Sequence, residues 1–233
     1  MKSCIKHLSI ALIIVFLFSL VSVSSLAASG KAYIFTINWT GTGAIDTTAA
    51  GSEEVLRHLW NMGYDAGMYL NNSASAGYSV MPNSKIWVIS SHGDPGVLHM
   101  GGSFGASELY ADSTAGGTNR SLSNLATSSL SGVRLVMFSA CYSGVTSGEY
   151  GNLVSMARNK GAQCVVGWND ALRNSTSNEW IRLFFEEANQ AHEPIWECFN
   201  HADYWSSYFG PSYAVEELKN RHEQGNVALY LYQ

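Results

Sequence analysis

The chain has 233 residues and a formal net charge of −5, with 46% hydrophobic and only 13% charged residues. That length suits one domain with some residues to spare, and the apolar content can fill a core, which excludes a disordered tail. Thirteen basic residues scattered through an acidic chain offer no basic face for nucleic acid, and four cysteines and four prolines exclude a disulfide knot or a proline-rich chain.

The N-terminus carries Lys2 and Lys6, then LSIALIIVFLFSLVSV, an apolar run of 16 residues, then SSLAASG with small residues flanking Leu26. Positive, apolar, small is the order of a secretory signal peptide. An uncleaved anchor is the alternative, but the run falls short of the ~20 residues that a span needs. Cleavage is expected near Ala27 or Ala28, dividing the chain into a signal peptide (1–28) and one exported domain (29–233) with no membrane association. Loss of residues 1–28 removes Lys2, Lys6 and Cys4, leaving a charge of −7 and three cysteines, Cys141, Cys164 and Cys198. Three thiols allow one disulfide and one free thiol, or three free thiols.

KAYIFTI (31–37) reads as a first strand. SEEVLRHLWNMG (52–63) reads as a helix capped by Ser52 and ended by Gly63. GMYL (67–70) is a weak strand and KIWVISS (85–91) a strong one. SLSNLATSSL (121–130) suggests a short helix. VRLVMFSA (133–140) is a continuous apolar run, as expected of a strand buried on both faces of a parallel sheet. A helix over 151–161, a buried strand over 162–168 and an amphipathic helix over 177–190 follow. Another helix runs over 193–205, with Pro194 in its first turn, then one over 212–225, and NVALYLYQ (226–233) closes as a strand. Strands alternating with helices predict an α/β domain with a mostly parallel sheet.

Ligands of such sheets bind at the carboxyl ends of the strands. Gly41 and Gly43 follow the first strand, but Asp46 stands where a dinucleotide fingerprint needs glycine. There is no P-loop and no GxSxG elbow. The strand over 85–91 runs into His92 and Gly93. The strand over 133–140 runs into Cys141. If the two strands are neighbours, imidazole and thiol face one another. An adjacent imidazole lowers a thiol's pKa or takes its proton, and later protonates a leaving amine. The N–H groups of Gly93 and Cys141 are candidate oxyanion donors, and Gly144 keeps the loop after the thiol open. Taken singly, a cysteine at a strand end is more often a small buried hydrophobe and a His-Gly more often a turn.

KIWVISSHG (85–93) followed by VRLVMFSAC (133–141) resembles the caspase-like cysteine peptidases, the group of caspases, metacaspases, clostripain, gingipains and legumain. His92 and Cys141 stand 49 residues apart, close to the ~50 of caspases. CYSG (141–144) is similar to the segment after a metacaspase nucleophile, and GAQCVVGW (161–168) to the family strand that borders the cleft. The resemblance spans roughly residues 31–233. It implies a three-layer α/β/α caspase-like fold with a mostly parallel sheet of about six strands. It further implies a Cys141/His92 dyad that cleaves protein or peptide substrates without a cofactor, in a monomer or homodimer. A catalytically inactive binding module of the same fold is the alternative. A non-peptidase hydrolase or a carbohydrate-binding domain stands further off.

Ser139 departs from the acidic residue or Gln that several relatives use two residues before the nucleophile to shape the primary pocket. Arg/Lys preference therefore does not carry over through that position. Trp168 is placed to wall a pocket, while the other tryptophans read as core. Asp170 lies at the correct sheet edge to touch a basic substrate residue, although a solvated turn is the plainer reading. Asp94 either orients His92 or shapes the DPG turn, the second being preferred. His99, His192, His201 and His222 lack metal-ligand spacing, so no metal site is expected. Cys164 and Cys198 read as core or as partners of each other. The loop over 143–151 contains no Lys, Arg or Asp, so no self-processing by an Asp- or basic-specific activity is expected there.

Overall fold

The computed structural model describes residues 30–39, 48–112, 119–146 and 149–232; the signal-peptide reading and the Gly41/Gly43 stretch lie outside them. Five strands run parallel: β1 (Lys31–Thr36), β2 (Asp65–Leu70), β3 (Ile86–Ser90), β7 (Leu135–Ser139) and β8 (Cys164–Trp168). An antiparallel edge strand, β9 (Arg221–Gly225), completes a six-stranded sheet in the order β2-β1-β3-β7-β8-β9. Between β3 and β7 the chain builds a small antiparallel sheet from β4 (His92–Asp94), β5 (Val97–Met100) and β6 (Ser107–Tyr110). The helices are α1 (Thr48–Asn61), α2 (Ala74–Val80), α3 (Leu153–Asn159), α4 (Asn174–Gln190), α5 (Ile195–Phe209) and α6 (Ser212–Leu218).

The apolar runs in β3 and β7 serve two cores, because successive strand residues point to opposite faces. Ile86, Val88, Leu135 and Met137 join a core with Val55 and Leu59 of α1, Trp180 and Phe184 of α4, and Cys198 and Phe199 of α5. Trp87, Ile89, Val136 and Phe138 join a second core with Leu153 and Val154 of α3 and Leu98 of β5. The result is the expected three-layer α/β/α arrangement. A helix layer on each face covers strands that neither face could expose to water.

Several boundaries differ from the sequence reading. Helix α1 starts at Thr48, so Ser52 lies buried within it instead of capping it. Residues 121–130 form only one 3₁₀ turn, Leu122–Asn124, whose carbonyl at Ser123 and the next at Leu125 accept from Lys160 Nζ (both 2.6 Å). The polar stretch read as one helix over 212–225 breaks after Leu218, and Arg221–Gly225 pairs with β8. A polar edge strand is held by backbone bonds and carries no apolar alternation to reveal it. Residues 226–232 form no strand. The carbonyls of Val227 and Leu229 instead accept from the N–H groups of Trp196 and Ile195 (3.0 and 2.8 Å), satisfying donors at the start of α5. Trp60 and Trp196 are exposed, not core. Helix α2 and the β4–β6 sheet carry too weak a pattern to be read in advance.

Candidate active site

Strand register decides what meets at the carboxyl edge. In the β3–β7 pair, Ser90 lies opposite Ser139. His92 and Cys141 each stand two residues beyond that pair. The last ladder bond there runs from Ser91 N–H to the Ser139 carbonyl (3.2 Å), after which the strands part. The approach of the two segments is tight. A Cβ built on Gly93 would stand 2.5 Å from the Cys141 carbonyl oxygen and 2.9 Å from Ala140 Cβ. Only glycine lets the His-Gly segment lie against the nucleophile turn.

Past Cys141 the chain turns sharply, with Tyr142 at φ 55°, left-handed and unusual for an aromatic residue. Ser143 secures this turn from beneath. Its hydroxyl bridges the Phe138 and Ala140 carbonyls (2.9 and 2.8 Å) and accepts from Trp168 N–H (3.0 Å). Tyr142 N–H donates to the Asp170 carbonyl (3.1 Å) and Gly144 N–H to the Trp168 carbonyl (2.8 Å). A Cβ at Gly144 would lie 2.8 Å from Asn169 Oδ1 and 2.9 Å from His222 Cβ. Its glycine therefore serves close packing against the β8 loop, not openness.

The half-buried Cys141 sulfur faces the strap after β8. Leu172 N–H donates to Sγ (3.2 Å) and the Leu172 carbonyl lies 3.5 Å from it. Burial pushes the thiol up from its ordinary range, and the N–H groups of Leu172 and of Cys141 itself oppose this. The strap is tied down in turn: Asn169 N–H donates to the Asn220 carbonyl (2.8 Å), and Arg173 pairs with Glu217 of α6 (2.7 Å). His92 sits in an aromatic corner, its ring 5.4 Å from that of Trp39 and 5.8 Å from that of Phe104. Trp39 is fixed by its indole N–H to the Gly101 carbonyl (2.7 Å).

The other site residues fall differently. Ser139 is buried, its hydroxyl 2.6 Å from that of Ser177 on α4. It joins sheet to helix and has no surface to offer a substrate. Trp168 is wholly buried edge-on against Trp180 (5.1 Å) and belongs to the core. In a strand buried on both faces, the ring of its last residue still points into a layer. Asp170 is exposed beside Tyr142, its carboxylate accepting from Ala171 N–H (2.7 Å) as a turn residue does. Asp94 bonds His99 Nε2 (2.9 Å) and stands at the DPG turn between β4 and β5. Cys164 and Cys198 are buried free thiols, both pushed up to about 12 by burial. No three His, Cys, Asp or Glu side chains are grouped to hold a metal ion among the described residues. The Leu172 strap, Ser143 and the Trp39 corner escape sequence reading. A backbone contact leaves no residue signature, and the roles of Ser143 and Trp39 arise from tertiary contacts.

No protein-family profile and no curated protein matches this chain in sequence. Among solved structures it is similar to the Arg specific cysteine proteinase gingipain R, with a TM-score of 0.65 and 10% identity over 90% of this chain and 49% of that one. It is also similar to caspase-1 from Spodoptera frugiperda, with a TM-score of 0.54 and 11% identity over 85% of this chain and 89% of that one. The chain spans about half the length of the gingipain chain. At these identities the likeness establishes the fold, which is caspase-like. No described helix is long and apolar enough to cross a membrane.

Proposed function

We propose that the chain is an exported cysteine endopeptidase in which Cys141 attacks the peptide carbonyl and His92 carries the proton. The observation that supports this reading is the shared strand register. It sets His92 and Cys141 two residues past one opposed pair, with Gly93 against the Cys141 carbonyl. In the resting protein the thiol is protonated, since burial raises its pKa. Substrate binding draws it toward His92, which takes the proton as the sulfur–carbon bond forms. The N–H groups of Cys141 and Gly93 receive the oxyanion. His92 returns the proton to the departing amine as the C–N bond breaks. Water, activated by the same imidazole, then hydrolyses the thioester and frees the thiol.

The test is turnover of an internally quenched peptide library. Cys141→Ala and His92→Ala are expected to lose roughly 10⁴-fold or more in kcat/KM. Turnover surviving in Cys141→Ala removes the dyad. No turnover by wild type, together with a Cys141 that resists alkylation, leaves a silent binding domain of the same fold.

A further inference from the structure

A pocket of about 360 Å³ opens beside the β4–β5–β6 sheet, lined among others by Asp94, His99, Glu108, Tyr110, Glu149 and Tyr150. Its walls are built together. Tyr110 and Tyr150 meet edge to face (5.1 Å). Asp112 N–H donates to the Tyr150 carbonyl and Ala111 N–H to that of Gly96 (both 2.8 Å). A Cβ at Gly96 would lie 2.7 Å from the Gly151 carbonyl, so the hairpin turn and the loop after the nucleophile are in direct contact.

Three carboxylates line this pocket, and no lysine or arginine is among its lining residues. Even a protonated His99 would leave the wall net negative. Tyr110 donates its hydroxyl to Glu108. That bond and then burial push the phenol up to about 12, keeping the hydroxyl a donor and the Glu108 carboxylate an acceptor. Arg120 is close enough to temper Tyr110 but does not line the cavity. His99 is 4% exposed and stacks on Phe104 (4.1 Å), with Nε2 on Asp94. Its Nδ1 is buried and makes no hydrogen bond, although Glu108 Oε1 stands 3.2 Å away. His99 is thus held in the wall between Asp94 and Glu108, and what the cavity presents is negative charge, from carboxylates that are not grouped for a metal ion. A cationic side chain that donates hydrogen bonds suits such a wall.

The place of the pocket relative to the thiol determines what reaches it. The Leu172 strap holds Sγ from the β8 side of β7. The pocket lies on the face of the β4–β6 sheet that carries His92, because His92 pairs with His99 and stands two residues before Asp94, and both of those residues line the wall. His92 must reach the departing amine, so peptide beyond the broken bond passes His92 and runs toward Asp94.

We propose that this pocket is a subsite for a lysine or arginine side chain on the leaving-amine side of the scissile bond, with Asp94, Glu108 and Glu149 as its specificity determinants. This rests on the peptidase reading above. The test uses quenched peptides with Lys, Arg, Ala or Glu at each of the first three positions after the cleaved bond. At one of those positions Lys and Arg should exceed Ala by roughly tenfold in kcat/KM, with Glu poorest, and the advantage should shrink with salt. In Glu108→Gln/Glu149→Gln the Lys and Arg advantage, read as the ratio to the Ala peptide in the same protein, should fall to about twofold or less. Uncleaved Cys141→Ala protein gives a second readout. By fluorescence anisotropy it should bind the Lys peptide more tightly than the Ala peptide, and the added double substitution should abolish the difference. Equal rates for Lys, Ala and Glu at all three positions overturn the subsite and leave the peptidase standing. Absence of all cleavage overturns the peptidase reading. A cationic preference that persists in the double variant overturns the residue assignment.

Discussion

At Cys141 two influences oppose each other on one sulfur. Burial disfavours the thiolate, and the Leu172 N–H favours it; burial wins, so the folded pKa is raised. The thiolate fraction of the substrate-free protein at neutral pH is therefore below that of an ordinary cysteine with pKa near about 8.5. Iodoacetamide labelling of Cys141 should be slower than that of a free cysteine peptide at pH 7, and its rate should level off at a higher pH than the peptide's. A rate that levels off below neutrality would mean a preformed thiolate and overturn this. Gly93 tests the same site sterically. Gly93→Ala places a methyl group 2.5 Å from a backbone oxygen that cannot swing aside. It should cost roughly 100-fold in kcat/KM, because displacement of a catalytic group by about 1 Å does that. Kinetics on protein matched for its folded fraction by near-UV circular dichroism decides it.

Among the elements, β8 and α5 each carry one buried thiol into the same core, Cys164 and Cys198. Both are pushed up to about 12, first by burial. Folding thus favours the neutral thiols. Above about pH 8.5 the unfolded chain gives up these protons while the folded chain keeps them. Their contribution is complete below that pH and declines as pH rises toward 12, by about 1.4 kcal/mol per pH unit for each thiol. Urea midpoints between pH 7 and 10 should fall, and less steeply in Cys164→Ala/Cys198→Ala than in wild type. Equal slopes would exclude the two thiols as the cause. The elements also divide by how they announce themselves. The apolar runs of β3, β7 and β8 and the amphipathic α4 were legible because burial imposes a pattern on residue type. Strand β9 and the β4–β6 sheet were not. Their residues answer to backbone pairing and to the site, and the polar stretch around Arg221 reads equally well as helix.

Over the whole molecule, the length beyond the domain and the loop after the nucleophile yield one measurement. Exported protein is expected to begin just after Ala27 or Ala28 and to remain unbroken through 143–151, so mass spectrometry should find no peptide from residues 1–27 and no chain end within 143–151. A chain end within 143–151 would mean self-processing there, and a peptide from residues 1–27 would remove the leader. Three layers around a parallel sheet also explain the low charge. Strands covered on both faces place few charged residues, and three carboxylates, Asp94, Glu108 and Glu149, share the pocket on the face that carries His92.

By itself the sequence determined the α/β class, the buried strands and the residues at their ends, including His92, Gly93 and Cys141. Apolar periodicity and strand-end position are written locally in residue order. Only the tertiary structure decided that Ser139 and Trp168 face a core, that Leu172 holds the sulfur, and that Asp94, Glu108 and Glu149 share one cavity. Those facts depend on strand register and on contacts between residues far apart in the chain. A shift of one residue in pairing would turn every side chain of a strand to the other face.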